Sequence, residues 1–556
     1  MEDPVLVRRV DVAPWERCEA YQDRSDAFRE EIFLPSQRRR DPVVARCFPD
    51  GGVRPHNGTF VLYFAPGWDR PIEPGAREPL PVLLVHGAGV DVQRTWVDPM
   101  GDGVAKTLEG NEGLLPSLLQ AKLRVFAVQF AHPHGDNFQH SEQVANAIRV
   151  VRRRLAVLPG YGERPVSIVS HSMGTLPVWM YLSDAWTQWP KDPRRNWMGT
   201  YRGDVARWIL LAPPLGGVDT MFRYYQANLA VYQSGRDAPV AFSEALIFGL
   251  RRGFGPETIG GEGESAYPGQ RQVLFPWVDF GVPFTAESST CGMQAFTCGA
   301  RDDLYYGCGP RHERPPVAAG ECDFYRPLPL LGPVVRSRGI YAAMRAGGDV
   351  IPRLNGLLLD HPIRRPTGAP TTGTIGLPPT IEATLLYGVK ATVGAWCLFL
   401  ACLELGDRAA PSDGLVYVAS ALRTEGLTRR GVALEVEGLE LNHWELLFHP
   451  EAVERVRNRL LGQRGEPPAV QMGAEGAELT WAALAGTGST VLEVSSDPAL
   501  RGALRFELSS PPFTFPLSLS PGRYYYKLWR ALQPDTPWWR VMWTGALTIP
   551  VPATAE

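Results

Sequence analysis

The sequence predicts an α/β protein: a mostly parallel sheet covered by helices, interrupted by a long insertion, and followed by a C-terminal all-β sandwich. Three observations predict it. Short, wholly apolar runs such as Pro81-Val-Leu-Leu-Val-His86 mark strands buried on both faces of a parallel sheet. These runs alternate with stretches of helical spacing, the order that parallel pairing requires. After Gly462-Gln-Arg-Gly-Glu-Pro-Pro468 the pattern changes to short alternating runs separated by Gly, Pro and Ser, as in a small sandwich.

At 556 residues the chain exceeds the roughly 250–300 at which a single core stops growing, so more than one domain is expected. The expected divisions are an N-terminal extension (1–57) packed on the main domain, an α/β domain (58–463) with 216–380 inserted as a lid or cap, and the sandwich (469–556). Hydrophobic residues at 44%, charged residues at 21% and a net charge of −3 describe an ordinary globular chain. No basic footprint for nucleic acid is present.

Taken in order, residues 1–57 mix charge with turn formers and offer only short strand-like pieces, such as 5–10. Met1-Glu-Asp-Pro4 lacks a basic region followed by an apolar stretch, so no secretory signal is expected within this numbering. Strands are predicted over 59–65, 81–86, 123–130, 166–169 and 208–212. A helix capped by Ser141 is predicted over 141–158, and another from the turn Ser170-His-Ser-Met-Gly174 to about residue 185.

Residues 216–380 break the pattern with Gly, Pro and aromatic residues, leaving helical stretches at 241–250 and 350–359. An apolar insertion this long reads as a lid over a site, with a separate structural subdomain as the alternative. Within it Cys291, Cys298, Cys308 and Cys322 suggest local disulfides and an oxidising compartment, extracellular or periplasmic, with the leader outside this numbering; free thiols in the cytosol are the alternative. The spacing has no paired C-x2-C element for zinc. Strands return at 383–387, 415–418 and 432–441, and a helix at 450–461 closes the domain. The apolar stretch 393–405 is shorter than the roughly 20 residues a bilayer needs.

The chemistry centres on Ser172. A strand, a sharp small-x-Ser-x-Gly turn and a helix can lift a serine hydroxyl out of the backbone, provided the residues two before and two after it are small, here Ser170 and Gly174. An ordinary loop serine is the innocent reading of the pentapeptide alone. A serine hydroxyl is a poor nucleophile at neutral pH, so it needs a histidine base and a carboxylate holding that histidine's tautomer. His443 follows the strand at 432–441 and precedes the last helix, and Asp413 sits in a turn thirty residues earlier, with Asp407 as runner-up. Alone, Asp413 reads as an Asp-Gly turn former and His443 as a surface or core histidine; together, in the order Ser, Asp, His, they read as a triad. The oxyanion would be held by the N–H of Met173 and by that of Ala88, in the glycine turn after the strand at 81–86.

With these motifs in place, the chain resembles the bacterial lipase and esterase group of α/β-hydrolases in Leu84-Val-His-Gly87, Ser170-His-Ser-Met-Gly174, Ser412-Asp-Gly-Leu-Val416 and Asn442-His443. The resemblance spans about 58–463 and implies an α/β-hydrolase sheet, a serine esterase working through Ser172, Asp413 and His443, and a mobile lid. Ser170 departs from the Gly or Ala of many members. A looser resemblance, over residues 86–174, is to lipase-box polyhydroxyalkanoate depolymerases. Leu519-Ser-Pro-Gly-Arg-Tyr-Tyr-Tyr526 resembles fibronectin type III modules, and the aromatic residues Tyr524, Tyr525, Tyr526, Trp529, Trp538, Trp539 and Trp543 would either pack that module or offer a platform to a polymer or lipid surface.

The expected function is therefore ester hydrolysis through an acyl-enzyme, with a lipid or polyester ester as substrate, no cofactor and no assigned metal ligands. The alternatives are a secreted polyester depolymerase with a docking module, an acyltransferase, and a non-catalytic binding protein on a hydrolase scaffold.

Overall fold

The computed structural model describes residues 3–25, 42–49, 55–72, 78–99, 112–132, 135–185, 199–218, 268–273, 350–356, 375–398, 401–405, 411–473, 476–480, 490–497, 502–508, 514–517, 519–531 and 539–549, together with residues 28, 51, 75 and 500. The first strands are β1 (Val5–Asp11), β2 (Arg17–Gln22), β3 (Thr59–Phe64), β4 (Val82–Val85), β5 (Val125–Phe130), β6 (Val166–His171) and β7 (Val205–Leu211). They are followed by β8 (Glu382–Gly388), the hairpin β9 (Gly394–Leu398) and β10 (Ala401–Leu405), and β11 (Leu434–Leu439). The central sheet has the order β1-β2-β3-β5-β4-β6-β7-β8-β11. From β5 to β11 every pairing in that series is parallel, whereas β3 runs antiparallel to β5. The arrangement is an α/β-hydrolase-like fold.

Ten helices among the described residues are α1 (Pro42–Cys47), α2 (Val92–Trp96), α3 (Leu114–Gln120), α4 (Asn137–Ala156), α5 (Thr175–Leu182), α6 (Pro268–Val273), α7 (Val350–Leu354), α8 (Val418–Ala421), α9 (Glu425–Thr428) and α10 (Pro450–Leu460). None of them is long and apolar enough to cross a membrane. The period-two geometry of strands explains the layering, because alternate residues face opposite sides. Leu83 and Val85 of β4, with Ile168 of β6, join the core that contains Val144, Ile148 and Val151 of α4 and Trp179 of α5. Val82, Leu84 and Val169 join the opposite core, with Trp96 of α2, Leu115 of α3 and Val456 of α10.

Helix α4 starts before Ser141, the expected cap. The cap is Asp136, whose carboxylate accepts the N–H of Phe138 at 2.8 Å, and Ser141 lies buried inside the helix. Residues 415–418 are not a strand. Gly414 adopts φ +95°, the Asp413 carboxylate accepts the N–H groups of Leu415 (3.0 Å) and Val416 (2.7 Å), and the chain turns directly into α8. The 393–405 stretch supplies the β9–β10 hairpin.

The N-terminal residues add two strands to the sheet, β2 pairing with β3, and a Cys18–Cys47 disulfide links β2 to α1. The C-terminal residues form β12 (Ala469–Gly473), β13 (Gly476–Thr480), β14 (Thr490–Ser495), β15 (Leu504–Leu508), β16 (Thr514–Leu517), β17 (Gly522–Ala531) and β18 (Trp539–Ile549). One group, β12-β13-β16, is a separate three-stranded sheet. The other, β18-β17-β14-β15, continues the central sheet, since β18 pairs with β11 in the register Leu434↔Thr544. Leu479, Leu492, Tyr526, Leu528 and Trp543 share a core within these strands. Trp529 is 6% exposed and packs into the core of the central sheet, with the Arg505 guanidinium 5.1 Å from its ring. Cys291, Cys298, Cys308, Cys322, Asp407, Trp538 and the 241–250 stretch lie outside the described residues, as does the side chain of Trp539.

Candidate active site

The residues singled out in the sequence converge at the C-terminal ends of the parallel strands, where open α/β sheets present their ligand crevices. Ser172 stands between β6 and α5 with φ +53°, a left-handed conformation that costs a non-glycine residue on the order of 1–3 kcal/mol. Gly87, after β4, lies so close that a Cβ there would come within 3.0 Å of the Ser172 Cβ. Ser170, two residues before, is buried, and its hydroxyl accepts the indole N–H of Trp208 at 2.9 Å. That bond gives a physical reason for serine rather than glycine or alanine at this position, because without it a buried donor would lose its acceptor.

His443 follows β11, and its Nδ1 meets the Asp413 Oδ2 at 2.8 Å with both side chains 2% exposed. Nδ1 donates in this pair, leaving Nε2 available as a base. The other carboxylate oxygen of Asp413 is held by the Leu415 and Val416 N–H groups, and the His443 N–H donates to the Asp413 carbonyl at 2.8 Å. Gly388 at the end of β8 allows the approach: a Cβ there would lie 2.9 Å from the Asp413 Cβ and 2.2 Å from the Leu441 carbonyl oxygen.

Ser172, Met173, Ala88 and His443 line one cavity of ≈ 30 Å³. That is room for about two water molecules. Its other walls are mainly apolar, with Trp444, Leu415 and Pro214 beside Val218 and Val273. Before Ala88, His86 donates Nδ1–H to the Gly87 carbonyl at 2.8 Å and its Nε2 accepts the Phe130 N–H at 3.3 Å. A planar trans peptide then directs the Ala88 N–H away from His86.

Two contributors were not singled out in the sequence. His171, the variable residue of the Ser-x-Ser turn, is fully buried, and its Nε2–H donates to the His443 carbonyl at 3.1 Å. Burial first, and then the neighbouring His443, hold its pKa well below the ordinary histidine value, so it is a neutral donor. Gln272 of α6 accepts the Asn137 N–H at 2.8 Å and donates to Asp136 at 2.9 Å, which seats Val273 against the cavity. No local signal marks either role: one is the free position of a motif, and the other is a contact across 135 residues.

Neither a family model nor a curated protein matches the chain. Among solved structures it is similar to a mature-form lipase of Bacillus licheniformis, at 12% identity and a TM-score of 0.29 over 71% of this chain and 96% of that one. It is also similar to a soluble variant of monoglyceride lipase from Saccharomyces cerevisiae, at 11% identity and a TM-score of 0.29 over 73% of this chain and 92% of that one. A phospholipase of Legionella pneumophila is similar at 10% identity and a TM-score of 0.25 over 84% of this chain and 90% of that one.

Proposed function

We propose that the chain is a serine hydrolase of carboxylic esters. The observation that carries this reading is that His443, hydrogen-bonded to Asp413 through Nδ1, lines the same small apolar cavity as Ser172 on its strained turn. In this reading Ser172 Oγ attacks the ester carbonyl while His443 Nε2 takes its proton, and the Met173 and Ala88 N–H groups hold the oxyanion. The C–O bond to the alcohol then breaks, and the alcohol leaves with the proton returned by the imidazolium. Water, deprotonated by His443, attacks the acyl-Ser172 ester and releases the carboxylic acid, restoring the serine. Asp413 keeps Nδ1 protonated throughout and offsets the imidazolium charge.

Val218 and Val273, both within residues 216–380, line the cavity, which supports reading that insertion as a lid. The shared core of the C-terminal strands supports their reading as a sandwich built onto the sheet. The Cys18–Cys47 disulfide supports an oxidising compartment. The test is a p-nitrophenyl ester series from short to long acyl chains, with wild type beside Ser172→Ala. Hydrolysis by wild type and its loss in the variant are expected; equal behaviour of the two proteins would remove Ser172 as nucleophile and with it this function.

A further inference from the structure

The loop that presents His443 is built as a reciprocal cap. The Asn442 Oδ1 accepts the N–H groups of Trp444 and Glu445, each at 2.9 Å, and a Glu445 carboxylate oxygen accepts the Asn442 N–H at 2.9 Å. This is the geometry of a capping box, N-x-x-E, opening the short 3-10 turn Glu445–Leu447. His443 is the first of the two residues enclosed by the box.

The box is anchored outside itself. Asn442 Nδ2 donates to the Thr392 carbonyl at 2.9 Å, and the second Glu445 oxygen pairs with Lys390 Nζ at 2.5 Å. Lys390 N–H also donates to the Leu441 carbonyl at 3.1 Å, so the segment just past β8 holds both ends of the box. Asn442 is 7% exposed and Glu445 8%. A capping box is ordinarily a stability device that satisfies the free N–H groups at the start of a helix. Here the box is buried, and the residue inside it is the one whose imidazole must meet both Asp413 and the cavity.

Resting on the hydrolase reading above, we infer that Glu445 is a positioning residue: through the Asn442 N–H and Lys390 it sets the backbone of residues 442–445 and thereby the aim of the His443 ring. It touches neither the reacting atoms nor the Asp413 carboxylate. An error of about 1 Å in the aim of a catalytic base costs on the order of 100-fold in rate, so the box bears on turnover more than on folding.

The experiment reads the His443–Asp413 hydrogen bond itself. The downfield proton resonance of His443 Nδ1–H is followed by one-dimensional NMR in wild type, in His443→Ala to assign it, and in Glu445→Ala, Glu445→Gln and Asn442→Ala, with Tm measured for each. Glu445→Ala and Asn442→Ala are expected to broaden or erase the resonance. Glu445→Gln, whose carboxamide oxygen can still accept the Asn442 N–H, is expected to keep it. In ester hydrolysis kcat should fall about 10- to 100-fold in the two alanine variants, with KM within about twofold. A wild-type resonance and wild-type kcat in Glu445→Ala would overturn the proposal, and should that variant fail to fold, the same result in Asn442→Ala would do so. Absence of ester hydrolysis in wild type would instead remove the hydrolase reading, while the resonance comparison would still decide the role of Glu445.

Discussion

Gly174 and His86 touch so closely that no side chain fits between them: a Cβ on Gly174 would lie 2.2 Å from the His86 carbonyl oxygen and 3.0 Å from that of Val85. The φ of Gly174 is an ordinary −60°, so its small size rather than its backbone freedom is what the position uses. The contact seats the Ser172 turn directly on the end of β4.

Gly174→Ala should therefore force β4 and the turn apart. A loss of about 1–3 kcal/mol is expected, as for other overpacked sites, together with loss of ester hydrolysis. Chemical denaturation and turnover of p-nitrophenyl acetate check it; a variant of unchanged stability and activity would show that the turn tolerates the shift.

Asp413→Asn should lower kcat by about 10³–10⁴-fold while leaving the fold in place. The Leu415 and Val416 N–H groups require an acceptor, so the carboxamide oxygen must face them. The amide NH2 then faces His443 Nδ1, which must become an acceptor, and the proton moves to Nε2, where the base is needed. Steady-state kinetics beside a thermal melt separates this from misfolding.

Val273→Ala should shift acyl preference toward longer chains. Val273 walls the small cavity, and trimming it opens space beside Ser172. The ratio of kcat/KM for octanoate over acetate esters is expected to rise about tenfold, the scale of one or two methylenes in an apolar pocket. A ratio unchanged from wild type would place the acyl chain elsewhere.

Glu142→Gln should make stability less dependent on pH. Glu142 lies within α4, 2% exposed, and burial raises its pKa to about 7 despite the Gly199 N–H that it accepts at 2.9 Å. Between its unfolded value of 4.5 and 7 the folded protein holds the extra proton, so its contribution is fully present below 4.5 and is lost as pH rises through 7. Relative to wild type, the glutamine variant should gain about 2–3 kcal/mol between pH 4.5 and 8, measured by urea denaturation at both. His171 works in the opposite sense. Its folded pKa is depressed, so its contribution is present above about 6.5 and declines as pH falls below that value.

Much of the architecture was legible because it is written in short-range chemistry. Alternation and apolar runs mark the strands from β3 to β8, and the Ser170-His-Ser-Met-Gly174 turn marks the site, since pleat and turn preferences act over a few residues. The strand expected at 415–418 failed for a reason equally local: Asp413 captures the N–H groups of Leu415 and Val416, which turns the chain into α8 before a strand can form. The apolar content of those residues serves the cavity and core rather than a sheet.

The α/β class and the candidate residues Ser172, Asp413 and His443, with their order along the chain, can be read from residue patterns alone. The folded chain adds that β18 covers the edge of β11, that Val218 and Val273 line the cavity, and that His171, Glu445 and Lys390 surround the His443 loop. The physical reason is that these pairings join groups from about 50 to 270 residues apart. Their partners are selected by edge satisfaction and burial over the whole domain, which no local pattern encodes.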